Sequence, residues 1–448
     1  MTATLQESGA REALAREVIG VSAADETEAI VELHDRGLTR FTHNAVHQNL
    51  VETDAVVRVR AVVDGRVGVA STNDLAGAGL RACVARAIDL ARFAPRDAAF
   101  PGLVAGATVT TPAGAYAAST AAATPQTRAE MTRAVFDVAE RDRLWSAGYV
   151  TTTAHRLTIA NTLGTLNSFD GTDAAINVKQ NAADASGYGE QYVVDLTTLD
   201  ATAVAERAAR KACEGRAPVA VEPGELTVVL EPPALGELLA YLAEHFSARA
   251  YDEGSSFLTT ALGKPCVGEN VTLLDDYGHP LAVGMPFDYE GVPTKRLALV
   301  RDGIAENLVT DAYWAAKLDR ENTGHGLPAP NAWGPQPRNL VLLGGNESRA
   351  ELIAGVEHGL LITRFWYIRT VDQRQTIVTG MTRDGSFLIE HGKLTTGVHN
   401  LRFNQSILAA LGRAQFSREL ARTAGYSYSM VVPTARIDRF AFTSTTTY

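Results

Sequence analysis

Leu226-Thr227-Val228-Val229-Leu230, then Glu231-Pro232-Pro233, then Ala234-Leu235-Gly236-Glu237-Leu238-Leu239-Ala240-Tyr241-Leu242 is where the chain changes its period. The first five residues are apolar and β-branched, as a buried strand requires. The Pro-Pro step fits a helix start, where the missing N–H groups cost nothing. Beyond it, Leu235, Leu238, Leu239, Leu242 and Phe246 recur at i, i+3, i+4, i+7 and i+11, which marks one apolar helical face. Glu237 and Tyr241, four apart, fall on the other side. Glu237 is expected to be a polar or hydrogen-bonded helix residue.

Upstream of this stretch, residues 214–224 are rich in Gly, Pro and Ala and have linker chemistry. They divide the chain into an N-terminal unit, 1–213, and a C-terminal unit, 225–448. In the first, a helix is expected over 5–19, strands over 29–33 and 38–42, and a hairpin in which 56–63 and 66–70 flank Asp64-Gly65. Asn73 or Asp74 is placed to cap a helix running to Phe93. Residues 96–124 read as an extended surface loop, and Pro125 as the start of a helix. Strands are expected between 145 and 195, with a turn at Asp170-Gly171, followed by a helix over 201–213. The second unit is strand-rich: 271–274, 296–301 with a turn at Asp302-Gly303, 340–343, 360–368, and a hairpin around His391-Gly392. Helices are expected over 347–358 and 404–421, ahead of terminal strands. Strands and helices are segregated rather than alternating, so the fold class is α+β with two domains, a mixed sheet with helices followed by a strand-rich domain.

The 448 residues carry a net charge of -10 with both signs interspersed, which excludes a nucleic-acid footprint. No apolar run approaches the length of a membrane span, and the N-terminus has charges where a secretory segment needs none. A cytoplasmic protein is expected. The cysteines, Cys83, Cys213 and Cys266, form no CxxC pair, so no zinc ribbon or redox motif is available. There is no Gly-x-Ser-x-Gly elbow, Walker loop or dinucleotide fingerprint.

Several blocks occur in a shared order: Asn44-Ala-Val-His-Gln-Asn49, Asn161-Thr-Leu-Gly164, Phe287-Asp-Tyr-Glu-Gly-Val-Pro-Thr-Lys-Arg296, Val300-Arg-Asp-Gly303, Thr323-Gly-His-Gly326, residues 376–380, and Gly385-Ser-Phe-Leu-Ile-Glu-His-Gly-Lys393. With the strand–helix stretch above, they resemble the TldD/PmbA family across almost the whole chain. The resemblance is fullest to the TldE (PmbA) branch. Zinc-bearing TldD-type members carry His-Glu-x-x-x-His on this helix and a late cysteine as third ligand. Here Gly236 and Tyr241 occupy the histidine positions around Glu237, and no cysteine follows Cys266. The resemblance therefore implies no zinc or other cofactor in this chain and no catalytic residue of its own. It implies a TldD-type partner that supplies zinc, and a peptide substrate, unfolded or small, such as a leader region. A stand-alone peptide-binding or scaffold protein, including a homo-oligomer, is the alternative. An enzyme with a relocated site is a third.

Glu237, Tyr241 and His245 could share a helical face, but tyrosine is a poor zinc ligand. His43 and His47 lie in what reads as extended chain, too far apart to share an ion. His325 sits between two glycines, with Asn331 and Trp333 in the same loop. These three are the candidate peptide-binding residues. The aromatic run Phe365-Trp366-Tyr367 reads as core or interface packing.

Overall fold

The computed structural model describes residues 4–424 and 429–446. Two sheets organise it. The first runs Arg66–Thr72, Ala45–Val63, Glu26–Thr42, Trp145–Asn161, Leu166–Asn181 and Ser186–Val193 in spatial order, every neighbour antiparallel. Side-chain alternation gives it two different faces. Val31, Leu33, Val57 and Val59 point to helices Ser8–Gly20 and Gly77–Phe93. Helices Pro125–Arg141 and Ala201–Glu214 cover the same side farther along, packing on Phe41, Val150, Ile176 and Val178. Ile30, Leu157, Ile159 and Phe169 point the opposite way, against Met285 and Phe287 from the second half of the chain.

The second sheet has eleven strands. Glu225–Leu230 is parallel to His358–Asp372 and antiparallel to Ser429–Thr445. From there Leu401–Ser406 and Ile377–Glu390 lead back to His358–Asp372. These five strands thus close into a ring, while shorter strands extend the sheet through Asn339–Leu342, Leu273–Asp275, Leu297–Arg301 and Ile304–Ala305. Helix Pro232–Ala243 packs on this assembly with eight of its twelve residues buried. The leucine face is buried as expected, and so are Gly236 and Ala240 from the other side. The helix is a core element rather than a surface amphipath, because Leu238, Leu239 and Leu242 share one apolar core with Phe365, Phe403 and Phe440. No helix among the described residues is long and apolar enough to cross a membrane.

The α+β class holds, with strands outweighing helix. Local corrections have identifiable causes. The strands expected at 29–33 and 38–42 are one strand, Glu26–Thr42, because Gly37 leaves room for the buried Arg128 guanidinium rather than making a turn. Gly171 likewise lies inside Leu166–Asn181 and admits the Phe169 ring, and the turn comes earlier, at 162–164. His43 and Asn44 form the hairpin turn itself, with φ of 49 and 57 degrees. The helix expected over 404–421 is a strand, a short helix Ile407–Leu411 capped by Ser406, and a second strand Ala414–Ala424. There the buried residues Leu401, Phe403 and Gln405 follow a period of two. Neither Asn73 nor Asp74 caps Gly77–Phe93, whose N-cap is Ala76, and Gly355 stops the helix expected over 347–358 at Ala354.

Two glycines set the approach of helix to sheet. A Cβ on Gly68 would stand 2.1 Å from the Ala87 carbonyl oxygen, and one on Gly187 would stand 2.1 Å from that of Ala208. Backbone atoms cannot swing aside, so Gly68→Ala and Gly187→Ala should each cost roughly 2 kcal/mol or more. Gly20→Ala meets nothing within 4 Å and should be near neutral. Urea denaturation of the three variants checks this, and equal stabilities would refute the packing argument.

Candidate functional site

The strand Glu225–Leu230 pairs with His358–Asp372 only as far as Ile362. Beyond that residue the edge of His358–Asp372 would be left open, and helix Pro232–Ala243 runs along it. Glu231 N donates to the Ile362 carbonyl at 3.0 Å. The Glu237 carboxyl group accepts from Phe365 N at 2.8 Å, and the Tyr241 hydroxyl donates to the Ile368 carbonyl at 2.5 Å. The strand shifts register between Trp366 and Arg369, with Tyr367 at a φ of 56 degrees. Glu237 and Tyr241 thus satisfy backbone groups at a bulge, where an unpaired buried group would cost about 1–3 kcal/mol. Gly236 is equally committed: a Cβ there would stand 2.6 Å from Thr423 Cγ2.

Around Glu237 the two sheets meet through a polar layer. The Glu190 carboxylate, on Ser186–Val193, accepts from Thr423 Oγ1 at 2.6 Å and from the Tyr188 hydroxyl. Arg364 stacks its guanidinium 4.6 Å from the Tyr188 ring centre and 5.3 Å from that of Trp366. Asp384 accepts from Ser186 Oγ and pairs with Lys179 Nζ at 2.8 Å. Glu231 bridges Lys211 and Arg349. Burial pushes the Glu231 carboxyl up, but these two cations outweigh it and hold its pKa at about 2. Glu237 has the opposite balance. Burial lifts its pKa to about 8, against the pull of Arg364 and the Phe365 N–H, with Glu190 and Asp384 adding to the rise. Its carboxyl group therefore holds its proton to higher pH than an exposed glutamate does.

The residues at this helix do not fit a catalytic zinc, which takes three nitrogen, sulfur or oxygen ligands around an open position. Gly236 offers no donor and no room for one, and the Tyr241 hydroxyl is engaged. His245 lies past the helix in a buried turn, 5.7 Å from the Phe257 ring, and burial lowers its pKa to about 4.

The other candidates separate. His325 is fully buried, its Nδ1 2.9 Å from Thr323 Oγ1 and its Nε2 3.6 Å from Asp275. With no surface to offer a peptide, it is a core residue rather than the cavity-lining one expected. Asn331 and Trp333 do lie together. The Asn331 side chain accepts from Trp333 N and donates to the Gly334 carbonyl, fixing the loop, and Trp333 is 74% exposed. Asn331 lines a groove of about 890 Å³ with Leu90, Phe93 and Trp314, and Trp333 lines the adjoining one of about 520 Å³. Phe365 is core, whereas Trp366 and Tyr367 are exposed. His43 stacks on Trp145 and is no ligand partner of His47. Sequence reasoning missed Glu190, Arg364 and Asp384, which carry no local motif and meet only through tertiary pairing.

The profile of the PmbA/TldA metallopeptidase C-terminal domain matches residues 223–444, and that of PmbA/TldA metallopeptidase domain 1 matches 27–91. The chain belongs to the PmbA/TldD family. It is similar to a Haemophilus influenzae protein named metalloprotease TldD homolog, at 28% identity over 47% of this chain and 45% of that one. It is also similar to metalloprotease PmbA of Escherichia coli O157:H7, at 29% identity over 31% and 29%. The chain thus spans less than half the length of these curated relatives. Its fold matches the crystal structure of TldE from Thermococcus kodakarensis with a TM-score of 0.87, at 21% identity, covering 97% of this chain and 99% of that one.

The raised pKa of Glu237 has a sign that can be tested. A carboxyl group whose pKa rises on folding contributes stability that is complete below its unfolded value near 4.5 and is lost as pH climbs to about 8. Glu237→Gln keeps an acceptor for Phe365 N and removes the titration. The variant should match the parent near pH 4.5 and exceed it at pH 8.5, by on the order of 2 kcal/mol. Urea unfolding at the two pH values checks this; an equal loss at both would overturn it.

Proposed function

We propose that this chain is a TldE-like, non-catalytic subunit of a heteromeric zinc metalloprotease. A TldD-type partner supplies the zinc and the water-activating glutamate. The observation that carries this reading is the occupation of Gly236, Glu237 and Tyr241 by structural duties: Gly236 offers no donor and no room for one, Glu237 holds Phe365 N, and the Tyr241 hydroxyl holds the Ile368 carbonyl. Family membership and the TldE-like fold support it. The role left to the chain is to complete the substrate cavity and hold an unfolded or small peptide, with Asn331 and Trp333 beside the adjoining grooves as the contacts. An exposed indole suits that role, giving a large apolar contact at little entropic cost.

The purified chain should show no peptidase activity alone and should raise that of a TldD-type protein encoded beside it, co-eluting with it in size-exclusion chromatography. Peptidase activity of this chain alone, with stoichiometric zinc lost in Glu237→Gln, would overturn the reading. A stable homo-oligomer with no gain on mixing would favour a stand-alone peptide-binding protein. Within the mixed complex, Trp333→Ala should weaken peptide binding roughly tenfold, in line with loss of an aromatic anchor, while leaving the thermal midpoint of this chain unchanged.

A further inference from the structure

The other candidate chemistry lies on the first sheet, away from the helix. Glu32 and His34 are two residues apart on Glu26–Thr42 and so project from one face. His155, on Trp145–Asn161, is the direct cross-strand partner of His34. The two imidazoles stack in parallel, with centres 4.4 Å apart and planes 5 degrees from one another. Each presents Nε2 to the same carboxylate oxygen: Glu32 Oε1 lies 4.0 Å from His34 and 3.9 Å from His155. Among the described residues, no other three His, Cys, Asp or Glu side chains bring ligand atoms so close, all within 4.8 Å. His155 Nε2 is out of contact with water and has no hydrogen-bond partner, an expensive state for a polar nitrogen.

We infer that Glu32, His34 and His155 form a site for one divalent transition-metal ion of the zinc class, separate from the helix where other family members are expected to bind theirs. Two imidazoles and one carboxylate are a donor set that suits zinc, nickel or copper and not magnesium or calcium. In a tetrahedral site with bonds of about 2.1 Å, the donors lie about 3.4 Å apart, so closing this trio takes side-chain rotation: the stacked rings must splay until both Nε2 lone pairs converge on the ion. The ion would satisfy His155 Nε2. Arg58 does not compete for the ligand oxygen, because its guanidinium lies 3.9 Å from Oε2, the other oxygen of Glu32. His34 keeps 45% of its side chain exposed, which leaves a way in for the ion and an open fourth position for water.

The test is titration of the chelator-treated full chain with zinc chloride, followed by calorimetry, and with cobalt(II), followed by visible absorption. One equivalent should bind with the cobalt spectrum of a nitrogen-and-oxygen tetrahedral site. The affinity should fall at least tenfold in His34→Gln and in His155→Gln, and stay within twofold in His43→Gln and Glu237→Gln. Circular dichroism of the two histidine variants, with unchanged thermal midpoints in chelator, separates ligand loss from unfolding. No binding by the parent, or binding that survives the His34→Gln, His155→Gln double substitution, would overturn the site. Those outcomes overturn this site alone, whereas binding lost in Glu237→Gln instead would overturn both this site and the subunit reading above.

Discussion

A strand that outruns its neighbour leaves N–H and C=O groups that protein or water must satisfy, and the C-terminal half of this molecule is arranged around one such edge. Between Ile362 and Ile368, the neighbour on this edge of strand His358–Asp372 is a helix rather than another strand. A helix has no free backbone groups along its side, so the hydrogen bonds must come from its first turn and from side chains. Glu231 supplies its amide, Glu237 its carboxyl and Tyr241 its hydroxyl, in the order in which the helix passes the edge. The same helix carries the leucines that fill the core between Phe365, Phe403 and Phe440. Loss of the tether would therefore expose both the edge and the core beneath it.

The polar layer beside this edge joins the two sheets without an apolar seam. Its members are polar or charged, largely buried and mutually paired, and that pairing makes their burial tolerable. Tyr188 and Glu190 come from the first sheet, while Arg364, Asp384 and Thr423 come from the second. A second link, Arg60 between Glu28 and Glu290, ties the same face of the first sheet, farther along it, to the second half of the chain. Such contacts need their exact partners, so they fix the relative register of the two sheets more strictly than an apolar interface would.

Periodicity carried much of this into the sequence. The leucine stripe at 235, 238, 239 and 242, the Asp64-Gly65 hairpin and the Pro125 helix start are local patterns with local causes, and they appear where expected. Gly171 misled because glycine marks either a turn or a close approach, and only the neighbouring side chain, Phe169, decides which. His325 misled for a related reason: flanking glycines suggest backbone access, yet Thr323 and Asp275 enclose the ring. The cross-strand pair His34 and His155 was invisible because its members are separated by more than a hundred residues and meet only through strand register. Glu237 and Tyr241 were legible as a missing metal motif, whereas the strand they hold was not.

The ring of strands in the second half has a consequence for how the chain reaches its native state. Glu225–Leu230, the first strand of that half, closes against Ser429–Thr445, the last. That contact spans about two hundred residues of intervening chain, and such long-range pairing makes folding slow. Until it forms, the leucine-rich helix that follows the first strand has part of its core missing and its apolar surface exposed. During synthesis this segment emerges well before its last partner strand, so its apolar face depends on protection from aggregation until that strand arrives.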